Sequence, residues 1–381
     1  MKKFLSVIMI LFISLSNVYA NDVEDIKKEE IVNEVDKTRY KAKVKEASNV
    51  FIDEISNIKY QELKIEILTD SEYKEKEFNG TFSIQALDSK ESDMLDIGDI
   101  VYAHIDVNNK DIKFIVEDLD RIPYVIFVFV LFIAVILLIG RKQGLKTVVS
   151  LLATILAIIY IFIPMVINGM SAIFAAVLVS IVVAIVTFVL IAGFSKKSIV
   201  SMIGTICGVI IGALIAFIIS YLGRITGLSD EHSQMLIYIT KDMVIDINGI
   251  FFSGIIIGTI GATMDIAMSI SSSMEEITFK VKDITGKQLI KSGLNIGRDV
   301  MGTMSNTLIL AYVGSSINII LIYILNNYDI IGILNSDFIA SEILRSLCST
   351  IGMILTIPIT TYIYSLAHKY IKPKIIVEKV K

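Results

Sequence analysis

Gly254, Gly258, Gly261, Asp265, Ser269 and Ser272 follow one another at steps of four, three, four, four and three within one apolar run, Asn248–Ser273 (NGIFFSGIIIGTIGATMDIAMSISSS). At 3.6 residues per turn these steps stay on one helical face. The run is long enough to cross a bilayer, so it reads as a transmembrane helix whose packed face is small and polar, with an acid set into it. A carboxylate at mid-membrane costs roughly 2.5–3.5 kcal/mol on insertion scales. Such a group usually faces a protein interior or a water-filled cavity, where it can carry a proton or a cation. The plainer alternative is a structural acid that hydrogen-bonds neighbouring Ser, Thr or Asn.

Depth supplies partners for Asp265. The next apolar run returns through the membrane and brings Asn306 to a comparable level. Asp299, Gly302 and Asn306 share one of its faces through steps of three and four. In the last run Thr356 and Thr360 reach a similar depth, with Pro358 between them removing a backbone donor. Asp265, Ser269, Asn306 and Thr360 are therefore expected to form a proton- or cation-binding cluster in the inner leaflet, with Arg298 and Asp299 at its inner mouth. Gly204, Gly208 and Gly212 form two overlapping GxxxG units, and Gly254 and Gly258 repeat the spacing. Glycines so spaced let another backbone come close. Helix packing is the expected role for these, for Gly261 and for Gly302; a gating hinge is the competitor.

Other chemistries find little footing. An aspartyl intramembrane protease needs two carboxylates sharing a site, and Asp265 is the one ionisable residue away from an edge in the apolar runs. His104, His232 and His368 are scattered, so no metal cluster is expected. There is no Walker pattern or Gly-rich phosphate loop, and Ser271-Ser272-Ser273 has no base within local reach. The chain is expected not to be an enzyme and to carry no cofactor. Cys207 and Cys348 fall in apolar runs and read as small buried hydrophobes.

What must position these residues is a membrane domain. Of 381 residues, 54% are hydrophobic and 19% charged, an apolar excess for a soluble chain. The charge-poor runs are Ile122–Ile139, Thr147–Ile163, Ser171–Phe194, Ser198–Leu222, Gly249–Ser273, Met301–Leu325 and Leu344–Leu366, which predicts seven spans. Met1–Ala20 has a basic start, an apolar core and a small-residue end, the pattern of a secretory signal; an uncleaved anchor is the competitor. Residues 21–37 form a charged linker. Residues 38–120 alternate apolar and polar at Tyr40, Ala42, Val44, at Leu63, Ile65, Ile67 and at Phe82, Ile84, Ala86, with Asn108-Asn109 as a turn. About five strands in so short a stretch predict a small barrel or sandwich, and the Gly98-Asp99 turn into a strand resembles that of OB-like barrels. Leu236–Ile247, too short to span, predicts an interfacial or re-entrant helix.

Residues 21–120 hold 14 Lys and Arg against 26 Asp and Glu. An acidic domain beside a mildly basic membrane half argues against nucleic acid as a partner. With residues 21–120 outside, the inner loops and tail carry fifteen Lys and Arg and the outer loops three (Arg224, Lys241 and Arg345). That asymmetry places the C-terminus in the cytoplasm. The expected class is thus an α-helical polytopic membrane protein, residues 121–381, with a small exported all-β domain at 38–120.

The runs IFFSGIIIGTIGATMDIAMSISSSMEEI, SGLNIGRDVMGTMSNTLILAYVGSS and EILRSLCSTIGMILTIPITTYI resemble the YibE/F-like bacterial multi-pass membrane proteins. The resemblance extends from Arg39 onward, with DLDRIP leading into the first span. Gly258, Gly261, Asp265, Ser269, Gly297, Arg298, Asp299, Gly302 and Asn306 match its motifs. It implies a bacterial plasma-membrane protein and assigns no activity. Two functions stay open. One is a transport-related permease using Asp265 for proton or cation coupling. The other is a non-transporting assembly or signalling protein whose exported domain binds a protein partner while the helices anchor it and form a homo-oligomer.

Overall fold

Apolar residues at every second position send alternate side chains to one face of a strand, and residues 40–119 convert that pattern into a closed barrel. The computed structural model describes residues 38–53, 58–85, 94–106, 112–229, 231–240, 245–281 and 283–370. The expected signal, linker, Asn108-Asn109 turn and basic C-terminal tail beyond residue 370 lie outside the described residues. Among the described residues six strands are present: β1 (Tyr40–Ala47), β2 (Phe51–Asp53), β3 (Ile58–Ile67), β4 (Glu77–Gln85), β5 (Ile100–Asp106) and β6 (Lys113–Leu119). Five of them close a ring, β1-β5-β6-β4-β3 and back to β1, while the three-residue β2 lies alongside β3. All neighbours in the ring are antiparallel except β4 and β6, which pair in parallel through Gly80↔Phe114 to Phe82↔Val116.

The inward set is the one the alternation marks: Tyr40, Ala42 and Val44, then Leu63, Ile65 and Ile67, then Phe82, Val101, Ala103, Phe114 and Val116, all buried. Tyr40, Tyr73, Phe78 and Phe114 meet as a ring cluster, mostly edge to face at 5.1–6.3 Å. The amide of buried Gln61 clamps Leu95 from both sides, donating to its carbonyl at 3.0 Å and accepting from its N–H at 3.0 Å. That exchange satisfies polar groups which burial would otherwise make costly. Gly98 turns the chain into β5 with φ 102°, a conformation open to glycine. His104 on β5 is half-buried and 3.3 Å from Glu117.

Asp120 ends the strand unit. Its carboxylate, almost wholly buried, is 2.7 Å from Lys41 Nζ and accepts from Ile122 N–H at 3.1 Å, which satisfies one orphan donor where a helix begins. That helix, α1, runs Ile122–Ala157 and continues through a π-turn (Ile158–Phe162) into α2 (Ile163–Ile167). Then come α3 (Ala172–Ala192), α4 (Lys196–Gly223), α5 (Glu231–Ile239), α6 (Ile247–Lys280), α7 (Gly286–Ser315), α8 (Ile317–Leu325), α9 (Ile330–Asn335) and α10 (Asp337–Tyr370).

Among the described residues, five helical stretches are long and apolar enough to cross a membrane: Ile122–Ile167, α3, α4, α6 and α10. The α7–α8 pair, bent by 56°, makes a sixth if it is one span. Seven were expected, and the difference lies at the start: Ile122–Ile139 and Thr147–Ile163 both fall in the first stretch. Its 46 residues would rise about 69 Å as one straight helix, more than twice the hydrocarbon thickness. The stretch breaks at Arg141, whose φ of 46° and ψ of −124° are not helical. Beyond that break the chain has turned so sharply that a Cβ on Gly144 would strike the carbonyl of Ile136. The short amphipathic helix expected at Leu236–Ile247 begins earlier, at Glu231, and ends at Ile239.

The helical core is built on α4, α6 and α10. Gly204 packs on Thr360, Gly208 on Thr356, and a Cβ on Gly212 would stand 3.0 Å from the carbonyl of Cys348. Glycine is needed here because the two backbones touch: a Cβ on Gly208 would also lie 2.9 Å from the carbonyl of Gly352. Three apolar clusters surround this seam. One joins α1–α3 to Val209, Ile256 and Ile260; a second joins Ile266, Ile270 and Met274 to Leu289, Met353 and Tyr364; a third joins Ala216 and Ile255 to Leu344 and Cys348.

Candidate functional site

Helix α6 starts where Asp246 caps it, accepting from Gly249 N–H at 2.8 Å. Its buried side is Ser253, Ile256, Thr259, Ile260, Thr263, Ile266, Ala267 and Ile270. The hydroxyls there enter a tight bundle because they are satisfied locally. Ser253 donates to the carbonyl of Gly249 at 2.7 Å, Thr259 to that of Ile255 at 2.6 Å, and Thr263 to that of Thr259 at 3.0 Å. Neighbours add the rest: Ser201 of α4 donates to the carbonyl of Ala267 at 3.1 Å, and Thr259 Oγ1 lies 2.9 Å from Ser349 Oγ of α10. At the far end Lys197 and Glu275 pair at 2.7 Å.

The glycine–acid ladder expected to be the packed face of this helix is its open one. Gly254, Gly258, Gly261, Asp265 and Ser269 are all exposed on the surface of the single chain. A Cβ added at Gly254 or Gly261 would meet nothing within 4 Å, and the same holds for Gly302 of α7. Among the described residues, these three glycines therefore pack against no neighbouring helix. The reason is that isoleucine, alanine and self-satisfied threonine fill the inward side of α6, which leaves Gly254, Gly261, Asp265 and Ser269 on the exposed side.

Gly258 differs from them: a Cβ there would lie 2.8 Å from the Tyr312 hydroxyl of α7. Further along, a Cβ on Gly293 would lie 2.8 Å from Met274 Sδ. These two contacts fix α6 and α7 as antiparallel neighbours. Asp265 is two turns from Gly258, and Ser305 is two turns from Tyr312 in the opposing direction, so the register sets Asp265 level with Met304–Ser305. Ser305 Oγ is buried without a hydrogen-bond partner among the described residues. Ser272 of α6, two residues before Met274, falls level with about Asn295 by the Gly293 contact.

The expected cluster is thus brought together in part. Asp265 and Ser269 share the open face of α6, beside α7, which carries Arg298, Asp299, Gly302 and Asn306 on its own exposed side. Asn306 stands about 100° further round α7 than Ser305, turned outward. Arg298 donates to Asn295 Oδ1 at 3.3 Å rather than to an acid. Thr360 does not join: it is fully buried against Gly204 in the α4–α10 seam, because Pro358 leaves α10 continuous and the glycine notch of α4 receives the threonine. Ser305 and Tyr312 are the members that inspection of α6 alone misses, although their spacing of seven mirrors that of Gly258 and Asp265. Asp265 lies about 27 Å along the axis from Ile247 and about 22 Å from Lys280. Its carboxylate makes no hydrogen bond or ion pair among the described residues.

A helical domain with several stretches long and apolar enough to span a bilayer is that of a multi-pass membrane protein. Residues 128–370 match the family described as YibE/F-like protein, and the chain belongs to it. The match begins inside α1 and ends with α10, so it covers the helices and leaves the barrel, expected within the resemblance from Arg39, outside the matched range. No curated protein and no solved structure matches the chain.

Proposed function

We propose that the chain is a transport-related permease of the bacterial plasma membrane, with the barrel outside and the C-terminus in the cytoplasm, and that Asp265 is its proton- or cation-coupling group. The observation that carries this reading is the placement of Asp265. An acid midway along an apolar helix stands on an open face, level with a buried hydroxyl that has no partner, between helices built to approach closely. A charge so placed cannot rest against lipid without a cost of roughly 2.5–3.5 kcal/mol or more. The face is instead lined by water or covered by a second copy, and the carboxylate takes up and releases a proton or cation there. Ser269 and Ser305 supply oxygens beside it, and Arg298 and Asp299 mark the cytoplasmic end of the groove.

The test is flux. Purified protein in vesicles, wild type beside Asp265→Asn, is loaded with a pH-sensitive or cation-sensitive dye and challenged with a gradient. The reading expects flux in the wild type that the variant loses. Equal silence in both overturns it.

The exposed glycines favour a second reading. Gly254 and Gly261, open among the described residues, leave room for the helix of another copy to approach closely. A chain whose helices only anchor and dimerise would keep that association in Asp265→Leu and pass no ion in either form.

A further inference from the structure

A second constellation lies far from Asp265, at the start of α10. The loop after α4 is latched to that helix by Asp337. Its carboxylate accepts from Thr226 N–H and Thr226 Oγ1, each at 2.9 Å, and from the Ser229 hydroxyl. Beneath the latch is a cavity of about 360 Å³ lined by Ser229, His232, Phe338, Ser341, Glu342 and Arg345. Ser341 is 4% exposed, and its Oγ has no partner among the described residues; neither has the buried Arg345 Nε. Arg345 is held from two other directions. Its Nη1 donates to Glu342 Oε1 at 3.1 Å, and its guanidinium lies 5.3 Å from the Phe251 ring centroid.

We infer that this cavity binds an oxyanion, a carboxylate or phosphate group, through Arg345 and Ser341. Ser341 and Arg345 are four residues apart on one helix, so both donors open to the same side. With Nη1 engaged by Glu342, the guanidinium keeps its Nε edge, which takes a carboxylate or phosphate with two parallel hydrogen bonds. His232 adds a ring N–H at the rim. A cation is a poorer fit, because both carboxylates nearby are already committed, Glu342 to Arg345 and Asp337 to the loop. The volume suits a small solute or a single headgroup. The phosphate has two sources, a free ion or the headgroup of an anionic lipid.

The full-length protein is reconstituted in phosphatidylcholine nanodiscs and titrated with inorganic phosphate by calorimetry, against chloride at equal ionic strength. In parallel, phosphatidylglycerol carried through purification is counted by native mass spectrometry. Phosphate binding in the neutral discs identifies a solute site; phosphatidylglycerol retained without it identifies a headgroup site. In either case Ser341→Ala and Arg345→Gln weaken the bound anion by about tenfold or more, the worth of a hydrogen bond to a charged group. Ser341→Ala leaves the Glu342–Arg345 pair in place, so it decides the matter even if Arg345→Gln does not fold. Absence of both phosphate and phosphatidylglycerol from the wild type overturns the inference, and so does wild-type binding in Ser341→Ala.

Discussion

Gly258 of α6 and Tyr312 of α7 face each other so closely that a methyl group on the glycine would stand 2.8 Å from the phenolic oxygen. This contact, with the one between Gly293 and Met274, sets the register that brings Asp265 level with Ser305. Because the obstructing atom is the far end of a side chain, Gly258→Ala is tolerated by a small swing of Tyr312. Gly258→Leu overfills the site and costs about 1–3 kcal/mol, read as a lower midpoint in thermal unfolding of the detergent-solubilised protein.

The seam between α4 and α10 is less forgiving. A side chain at Gly208 collides with Thr356 and with the carbonyl of Gly352, and backbone cannot swing aside. Gly208→Val is expected to destabilise by at least the upper end of about 1–3 kcal/mol, while Gly254→Ala, which meets open space, leaves stability unchanged or raises it by up to about 1 kcal/mol through helix propensity. Unfolding midpoints of the two variants, measured side by side, check the contrast.

Thr259 and Ser349 share a buried hydrogen bond of 2.9 Å between α6 and α10. Thr259 also donates to its own helix, so Ser349→Ala leaves it satisfied. The expected loss is about 0.6 kcal/mol, the average for such bonds between membrane helices, with Thr259→Val, Ser349→Ala and the double variant closing the cycle.

Asp265→Leu removes a carboxylate that makes no hydrogen bond or ion pair among the described residues. Folding of the single chain is expected to survive the change. Any loss belongs to transport or to association between copies. Cross-linking yield and vesicle flux, measured on the same preparation, separate those two.

The barrel carries a pH dependence of its own. The hydrogen bond from Lys41 holds the Asp120 carboxyl below the usual carboxylate range against the opposing effect of burial, and the same bond raises Lys41 above its usual range. For a depressed acid, the stabilisation is present above the unfolded value of about 3.9 and is lost as pH falls through the lower folded value. For a raised lysine it is present below about 10.4 and is lost as pH climbs through the higher folded value. Unfolding of the strand unit, followed by circular dichroism in the full chain, is expected to weaken at both limits. Asp120→Asn should flatten the acid limb and lower the midpoint near neutral pH.

The strand positions were legible because alternation has a period of two and little else produces it: Tyr40, Ala42, Val44 and Leu63, Ile65, Ile67 all point inward as that period requires. The glycine notch of α4 was legible for a similar reason, since repeated steps of four on an apolar helix suit backbone contact. The direction of the α6 ladder was not. A stripe of Gly, Asp and Ser and a stripe of Ile, Ala and Thr are both helical in period, and spacing alone does not say which one meets the bundle. Threonines that satisfy their own carbonyls behave as apolar residues, and they took the inside. Thr360 was misplaced because depth along a helix is readable from sequence whereas rotation about its axis is not. The break at Arg141 was legible: it follows Gly140 and falls in the charged stretch that separates the runs Ile122–Ile139 and Thr147–Ile163.

The ring of strands has one further consequence. Because β4 and β6 close it in parallel, each strand except the three-residue β2 has a neighbour on both sides, and among the described residues the unpaired stretches are only a few residues long. An incoming polypeptide therefore has no long unpaired edge to extend. Whatever docks on this unit must read its side chains or its connecting turns, so a search for binding partners is better aimed at sequence-specific ligands than at generic extended peptides.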